Sequence, residues 1–240
     1  MIKEIGHSGR TAKVEIRDEA DHIQKHWLLS AFYEGNAIGL LTYIQSNYPR
    51  LKSFYDIGAS IGNHTLFFSE IMEHTEFVLA VEPYSPSYEH LLANIEHNKR
   101  ARAVVKPIRI AIGAEKRSGD MNLYGPCNLD PDCPHSSNVG MSKFTEGFHG
   151  ETAMVTLDEL ARTHDLPPPD FIKFDIEGFE LEALAGAKAT IADHKPVISI
   201  EIEPVTDLEL FDDWMSHIGY LRESEKLNYT PTFIYESEWT

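Results

Sequence analysis

Cysteine is nearly absent: the 240 residues hold two, Cys127 and Cys133. Two cysteines cannot form a disulfide framework, and their scarcity fits a reducing compartment, so a cytoplasmic protein is expected. Basic residues are also few, 21 Lys and Arg against 38 Asp and Glu, for a net charge of −17. That balance disfavours polyanions, and nucleic acid is not an expected partner. No apolar run approaches the roughly 20 residues of a membrane span, and the first ten residues, MIKEIGHSGR, lack a signal-peptide core. Repeats and low-complexity tracts are missing too. Also lacking is the third glycine of a G-x-G-x-x-G dinucleotide fingerprint.

In that fingerprint's place stands Ser53 to Glu82, SFYDIGASIGNHTLFFSEIMEHTEFVLAVE. It reads as a strand (Phe54–Ile57), a turn bracketed by Gly58 and Gly62, a helix opening at Asn63 or His64, and a second buried strand (Phe77–Val81). Glycines in such a turn bring backbone close to a ligand. Glu82 follows Gly62 at the spacing from which an acid reaches ribose hydroxyls. Asp56, just before the first glycine, would repel a diphosphate but suits a cofactor carrying an ammonium and a sulfonium. S-adenosylmethionine (SAM) is therefore the expected cofactor, with Asp56, Gly58, Ala59, Gly62, Asn63, Glu82, Pro83, Tyr84, Ala111 and Asp175 as candidate contacts. A nucleotide-dependent oxidoreductase on a similar sheet is the rival enzyme, and a non-catalytic SAM-binding module the rival without turnover.

Hydrophobic residues make up 42% of the chain, enough over this length for one large α/β domain spanning 1–240. Residues 1–50 are expected to act as a helical cover. Ala12–Arg17 suits an edge strand, and two helices between His22 and Asn47 flank Phe32-Tyr33-Glu34-Gly35, a junction able to close over the cofactor. Ser85-Pro86 reads as a cap followed by proline at the first helical position. A third strand is expected over Val104–Ile112, ending at Gly113 beside the cofactor crevice.

Residues 124–150 are rich in Gly, Pro, Asn, Ser and His, and read as a long acceptor-covering loop. Its Cys127, Cys133 and His135, with Asp130 and Asp132, lack the paired-ligand spacing of zinc sites. Beyond it come a strand at Ala153–Val155, a helix at Thr156–Thr163 and a strand at Phe171–Asp175. Asp175-Ile176-Glu177-Gly178 then places two carboxylates at a strand's carboxyl end, where open α/β sheets bind ligands. A helix over Glu180–Ala189, a strand over Val197–Glu203, a helix over Leu208–Ile218 and an antiparallel pair of Tyr220–Arg222 with Thr232–Tyr235 complete the chain.

Together F-Y-D-I-G-A-S-I-G-N-H-T, V-E-P, T-L-D-E-L and I-K-F-D-I-E-G-F-E-L-E-A-L-A-G-A resemble the FkbM-type SAM-dependent methyltransferases over roughly Ser53 to Glu203. The resemblance implies a doubly wound, mostly parallel seven-stranded Rossmann-like sheet with helices on both faces and a reversed C-terminal strand. It also implies O-methylation of a hydroxyl on a sugar, small polyol or natural product. Carried over, Asp56, Gly58 and Gly62 line the cofactor's amino-acid end, Glu82 its ribose, and Asp175 with Glu177 the reaction centre. A neutral hydroxyl needs a base, for which Asp175 or Glu177 is expected first and His135 or His149 second. In an alternative route Asp175 with Glu201 or Glu203 holds a hard cation such as Mg²⁺. Neither the acceptor nor the oligomeric state is legible.

Overall fold

A computed structural model of the chain describes residues 1–98, 103–123, 142–145, 150–202, 208–228 and 231–238. The chain starts with strands β1 (Ile2–His7) and β2 (Arg10–Glu15), paired antiparallel across Ser8-Gly9. Both turn residues have positive φ, 50° and 81°. A two-residue turn of that hand matches the twist of a hairpin. Residues 1–50 are thus a hairpin followed by helices α1 (His22–Leu28) and α2 (Leu40–Asn47), not helical throughout. The buried set Ile5, Ala12, Val14 and Ile16 carries the two-residue period of β structure in the second strand. The expected strand 12–17 begins two residues earlier and pairs with β1 outside the main sheet.

Next come β3 (Ser53–Ile57), the short α3 (Asn63–Leu66), which continues as a π-helical turn over Phe67–Ile71, β4 (Phe77–Val81), α4 (Ser85–His97) and β5 (Val104–Ile108). Tyr84, not Ser85, caps α4, and Pro86 falls in its first turn. The strand expected over 104–112 splits: β6 (Ala111–Ile112) leaves the main sheet for a smaller one with β7 (Arg117–Leu123), β8 (Ser142–Thr145) and β9 (Thr152–Val155). Residues 142–145 of the expected loop are therefore strand, while 124–141 and 146–149 lie outside the described residues.

The chain then forms α5 (Leu157–His164), β10 (Phe171–Phe174), α6 (Glu180–Ala185), α7 (Lys188–His194), β11 (Val197–Glu201), α8 (Leu208–His217), β12 (Tyr220–Arg222) and β13 (Thr232–Ser237). The helix expected over 180–189 breaks at Gly186, where an added Cβ would lie 2.0 Å from the Gly113 carbonyl oxygen. Gly113 is thereby fixed against Gly186 and Met154.

The main sheet has seven strands in the order β12-β13-β11-β10-β3-β4-β5. The five from β11 to β5 are parallel, and β13 runs against β11. Its two faces differ. One is apolar along its length, with Tyr55, Ile57, Leu79, Val81, Ile172, Phe174, Ile198 and Ile200 in one cluster. The other starts apolar, with Phe54, Val78, Phe171 and Val197 packed against Trp27, Phe32, Leu40 and Leu41 of the N-terminal segment. By the two-residue period, its next positions are Asp56, Lys173 and Ser199, then Asp175 and Glu201. Register pairs Asp56 with Lys173 and Lys173 with Ser199, so a polar row crosses three strands toward their carboxyl ends.

Candidate functional site

The turn after β3 packs directly against the end of β10. Gly58 has φ 86°, and a Cβ there would fall 1.8 Å from the Asp175 carbonyl oxygen, so only glycine fits. The Gly58 and Ala59 amides both donate to the Val81 carbonyl, at 3.0 and 2.9 Å. Glu82, just past β4, is buried and accepts from the Ser60 amide at 2.9 Å and the Tyr84 amide at 2.8 Å, one on each carboxylate oxygen. Burial pushes its pKa up to about 7, against the pull of those two bonds. The acid thus ties the glycine turn to the Pro83-Tyr84 loop and keeps further lone pairs on both oxygens. Close by, the buried Ser60 hydroxyl has no hydrogen-bond partner among the described residues.

Asp56 is fully buried and committed internally: Thr65 Oγ1 donates to its Oδ2 at 2.6 Å, and Lys173 Nζ lies 3.5 Å from its Oδ1. Lys173, 2% exposed, also reaches Asp175 Oδ2 at 2.9 Å and the Gly58 carbonyl at 3.5 Å. One ammonium therefore joins both strand-end carboxylates and the glycine turn. Burial opposes its charge, but Asp175 and then Asp56 outweigh that and hold its pKa above the ordinary lysine value. Burial likewise works against the Asp175 carboxylate, yet Lys173 and a hydrogen bond shared with Glu201 hold its pKa below the usual range. Glu201 is displaced upward, by burial first and then by Asp175, so it carries the proton of the pair. Glu34, Leu40, Lys173, Asp175, Ser199 and Glu201 surround a small gap here that is too narrow for a water molecule.

The N-terminal segment closes one side. Asn63, a candidate contact, spends its amide there: its Oδ1 accepts from Trp27 Nε1 and the Tyr33 amide, each at 3.1 Å, and its Nδ2 donates to the Tyr33 carbonyl at 3.0 Å. Glu34, at φ 62°, sits 2.8 Å from His64 Nε2. The expected junction at Phe32–Gly35 thus sets Glu34 beside Lys173 and Asp175. Glu177 adopts φ 55° in the turn, and Glu180 Oε1 accepts from the Ile176 and Gly178 amides at 3.1 and 3.2 Å. Ala111 packs with Phe144 and Met154 in the small sheet's core. Cys127, Asp130, Asp132, Cys133, His135, His149 and Glu203 lie outside the described residues.

Sequence reasoning missed Lys173, Glu180, Glu34 and His64 as site residues. Lys173 had a visible signal: a lysine two positions before Asp175 shares its face, in a strand whose other members are all apolar. Glu34 was named only within the Phe32–Gly35 junction, and His64 carried no signal, because only the fold brings that helix histidine to a glutamate thirty residues before it.

A family model described as "Methyltransferase FkbM domain" matches residues 56–230. Hexuronic acid methyltransferase AglP of Haloferax volcanii is 28% identical over 180 residues, covering 75% of this chain and 68% of that protein. The crystal structure of an FkbM methyltransferase from Methylobacillus flagellatus superposes with a TM-score of 0.57 at 21% identity, covering 78% of this chain. The match spans 44% of that longer structure.

Proposed function

We propose, from the premise that this chain belongs to the FkbM methyltransferase family, that it methylates a hydroxyl of a sugar, with SAM as methyl donor. The observation that carries the reading is the joint between its two chemical centres. Gly58 abuts Asp175, while Glu82 ties Ser60 and Tyr84 into one rim. The rim suits the cofactor's chemistry: an acid with free lone pairs for ribose hydroxyls, an orphan Ser60 hydroxyl, and no third glycine for a pyrophosphate. Glu82, Ser60, Pro83 and Tyr84 would hold the nucleoside, and the Gly58–Gly62 turn the amino-acid end. When bound, SAM supplies an electrophilic methyl group and a thioether leaving group.

Asp175 takes the proton of the acceptor hydroxyl as the new O–C bond forms and the C–S bond breaks. Lys173 and the neutral Glu201 carboxyl keep Asp175 ionised and aimed by charge-assisted hydrogen bonds. Holding acceptor and donor in line is the larger part of the catalysis. The ammonium 2.9 Å from Asp175 already supplies a cation where the alternative route calls for Mg²⁺, which favours the base reading. The Haloferax volcanii relative makes a uronic-acid glycoside the first acceptor to try. The low cysteine content supports a cytoplasmic location.

The test is mass spectrometry of a glucuronoside incubated with the protein and methyl-deuterated SAM, with and without EDTA. A product bearing the deuterated methyl group on oxygen, formed equally in EDTA, is expected. No labelled product from uronate, neutral or amino glycosides would overturn the sugar reading. Product that vanishes in EDTA and returns with Mg²⁺ would replace the base by a bound cation.

A further inference from the structure

The small sheet meets the turn that follows Asp175 through Phe144 and Phe179. Phe179, the residue after Asp175-Ile176-Glu177-Gly178, caps α6 and packs edge-on against Phe144 of β8, ring centroids 5.9 Å apart. The Arg117 guanidinium, from β7, lies over both rings, 5.8 Å from the Phe144 centroid and 6.0 Å from that of Phe179. It also forms an ion pair with Glu182 on α6, and its Nε lies 3.1 Å from Met154 Sδ. Phe144 reaches this position only because residue 119 is glycine: a Cβ there would lie 2.5 Å from the Phe144 ring and 2.4 Å from the Thr145 carbonyl. The guanidinium thus lies beside two aromatic rings that meet edge-on, with the Glu182 carboxylate and the Met154 thioether also in contact with it.

We propose that Arg117 is a positioning residue that locks the β7–β8 hairpin to the Asp175–Phe179 turn, so that the hairpin and the reaction centre move as one body. This rests on the reading of Asp175 as the catalytic carboxylate. Glu180 holds the turn from within through the Ile176 and Gly178 amides. Arg117 holds it from outside, through Phe179 and Glu182. Without that second anchor the turn keeps its hydrogen bonds but loses its registration on the small sheet, and the Asp175 carboxylate loses alignment with the acceptor while the Glu82 rim is undisturbed. Lysine keeps the charge for Glu182 but presents no plane to the rings, so it restores the lock only in part.

The test is amide hydrogen exchange by mass spectrometry on Arg117→Met and Arg117→Lys, with SAM affinity by calorimetry and methyl-transfer kinetics alongside. In Arg117→Met, exchange in the 176–179 turn and in β8 is expected to rise together by about tenfold, as for a local opening that loses one anchor. SAM affinity should stay within about twofold and kcat should fall about tenfold or more, with Arg117→Lys between. Faster exchange in β8 with a wild-type turn would show two independent bodies and overturn the proposal. So would SAM binding lost in step with kcat, which marks a general structural defect. If Arg117→Met does not fold, Phe144→Leu is read in the same way. The exchange readout needs no acceptor, so a fully active Asp175→Asn variant would sink the functional reading and leave the coupling result standing.

Discussion

Replacing Lys173 by methionine keeps the length of the side chain and removes its charge. The structure shows what is then left behind. Asp56 is fully buried, its Oδ1 has no hydrogen-bond partner among the described residues, and the ammonium 3.5 Å away is its counter-charge. Asp175, with a side chain 28% exposed, can recover some water. Breaking a buried ion pair by deleting one partner costs about 3–5 kcal/mol, and here most of it falls on Asp56. Urea unfolding at pH 7 followed by circular dichroism should show a loss of that size. Asp56→Asn in the same chain removes the stranded charge, so the double variant should regain about 1–3 kcal/mol relative to additivity. A loss under about 1 kcal/mol, or strict additivity of the two changes, would refute the claim that Lys173 is the cation on which both strand ends depend.

Glu82 makes a pH-dependent prediction. Its folded pKa of about 7 lies above its ordinary value of 4.5, so between those values the native state holds a proton that the unfolded chain releases. Its contribution to stability is therefore present below about pH 4.5 and falls as pH rises to 7, by on the order of 3 kcal/mol at about 1.4 kcal/mol per pH unit. The stability of the parent minus that of Glu82→Gln should decline from pH 5 to pH 8, and a flat difference counts against the buried acid. Gly58→Ala puts a methyl group onto the Asp175 carbonyl at φ 86° and should cost at least about 1–3 kcal/mol in thermal unfolding; a neutral result would mean the two turns do not touch. Asn63→Ala removes the bonds to Trp27 and Tyr33, so chymotrypsin should cut residues 29–39, at Leu29, Phe32 or Tyr33, sooner, with about 1–3 kcal/mol lost; unchanged cleavage would mean another contact holds that segment.

The parallel strands were legible because their apolar runs are continuous and end in chemistry: D-I-G after Tyr55, V-E-P after Ala80, F-D-I-E-G after Lys173. The pairing of Tyr220–Arg222 with Thr232–Tyr235 was legible in the residues, whereas the reversed run of that second strand against β11 came only through the family resemblance. The N-terminal hairpin escaped because Ser8-Gly9 is a weak turn signal and β1 buries only Ile5 fully. The division of 104–112 escaped because Arg109 and Ile110 offer no break, and only the pairing of Ala111 with Met154 draws that segment away. Within the site, residue types were readable but their partners were not. Asp56 turned inward because register sets Lys173 beside it, and Glu180, which accepts from the Ile176 and Gly178 amides, was read only as the start of a helix.

The central claim is that Asp175 takes the acceptor proton in a crevice that holds SAM independently of that residue. The most direct measurement is the methyl-transfer rate of Asp175→Asn set beside its SAM affinity by calorimetry. The account predicts SAM affinity within a few-fold of the parent and a rate lower by about 10²–10⁴. An Asp175→Asn variant that transfers methyl groups at the parental rate would contradict it.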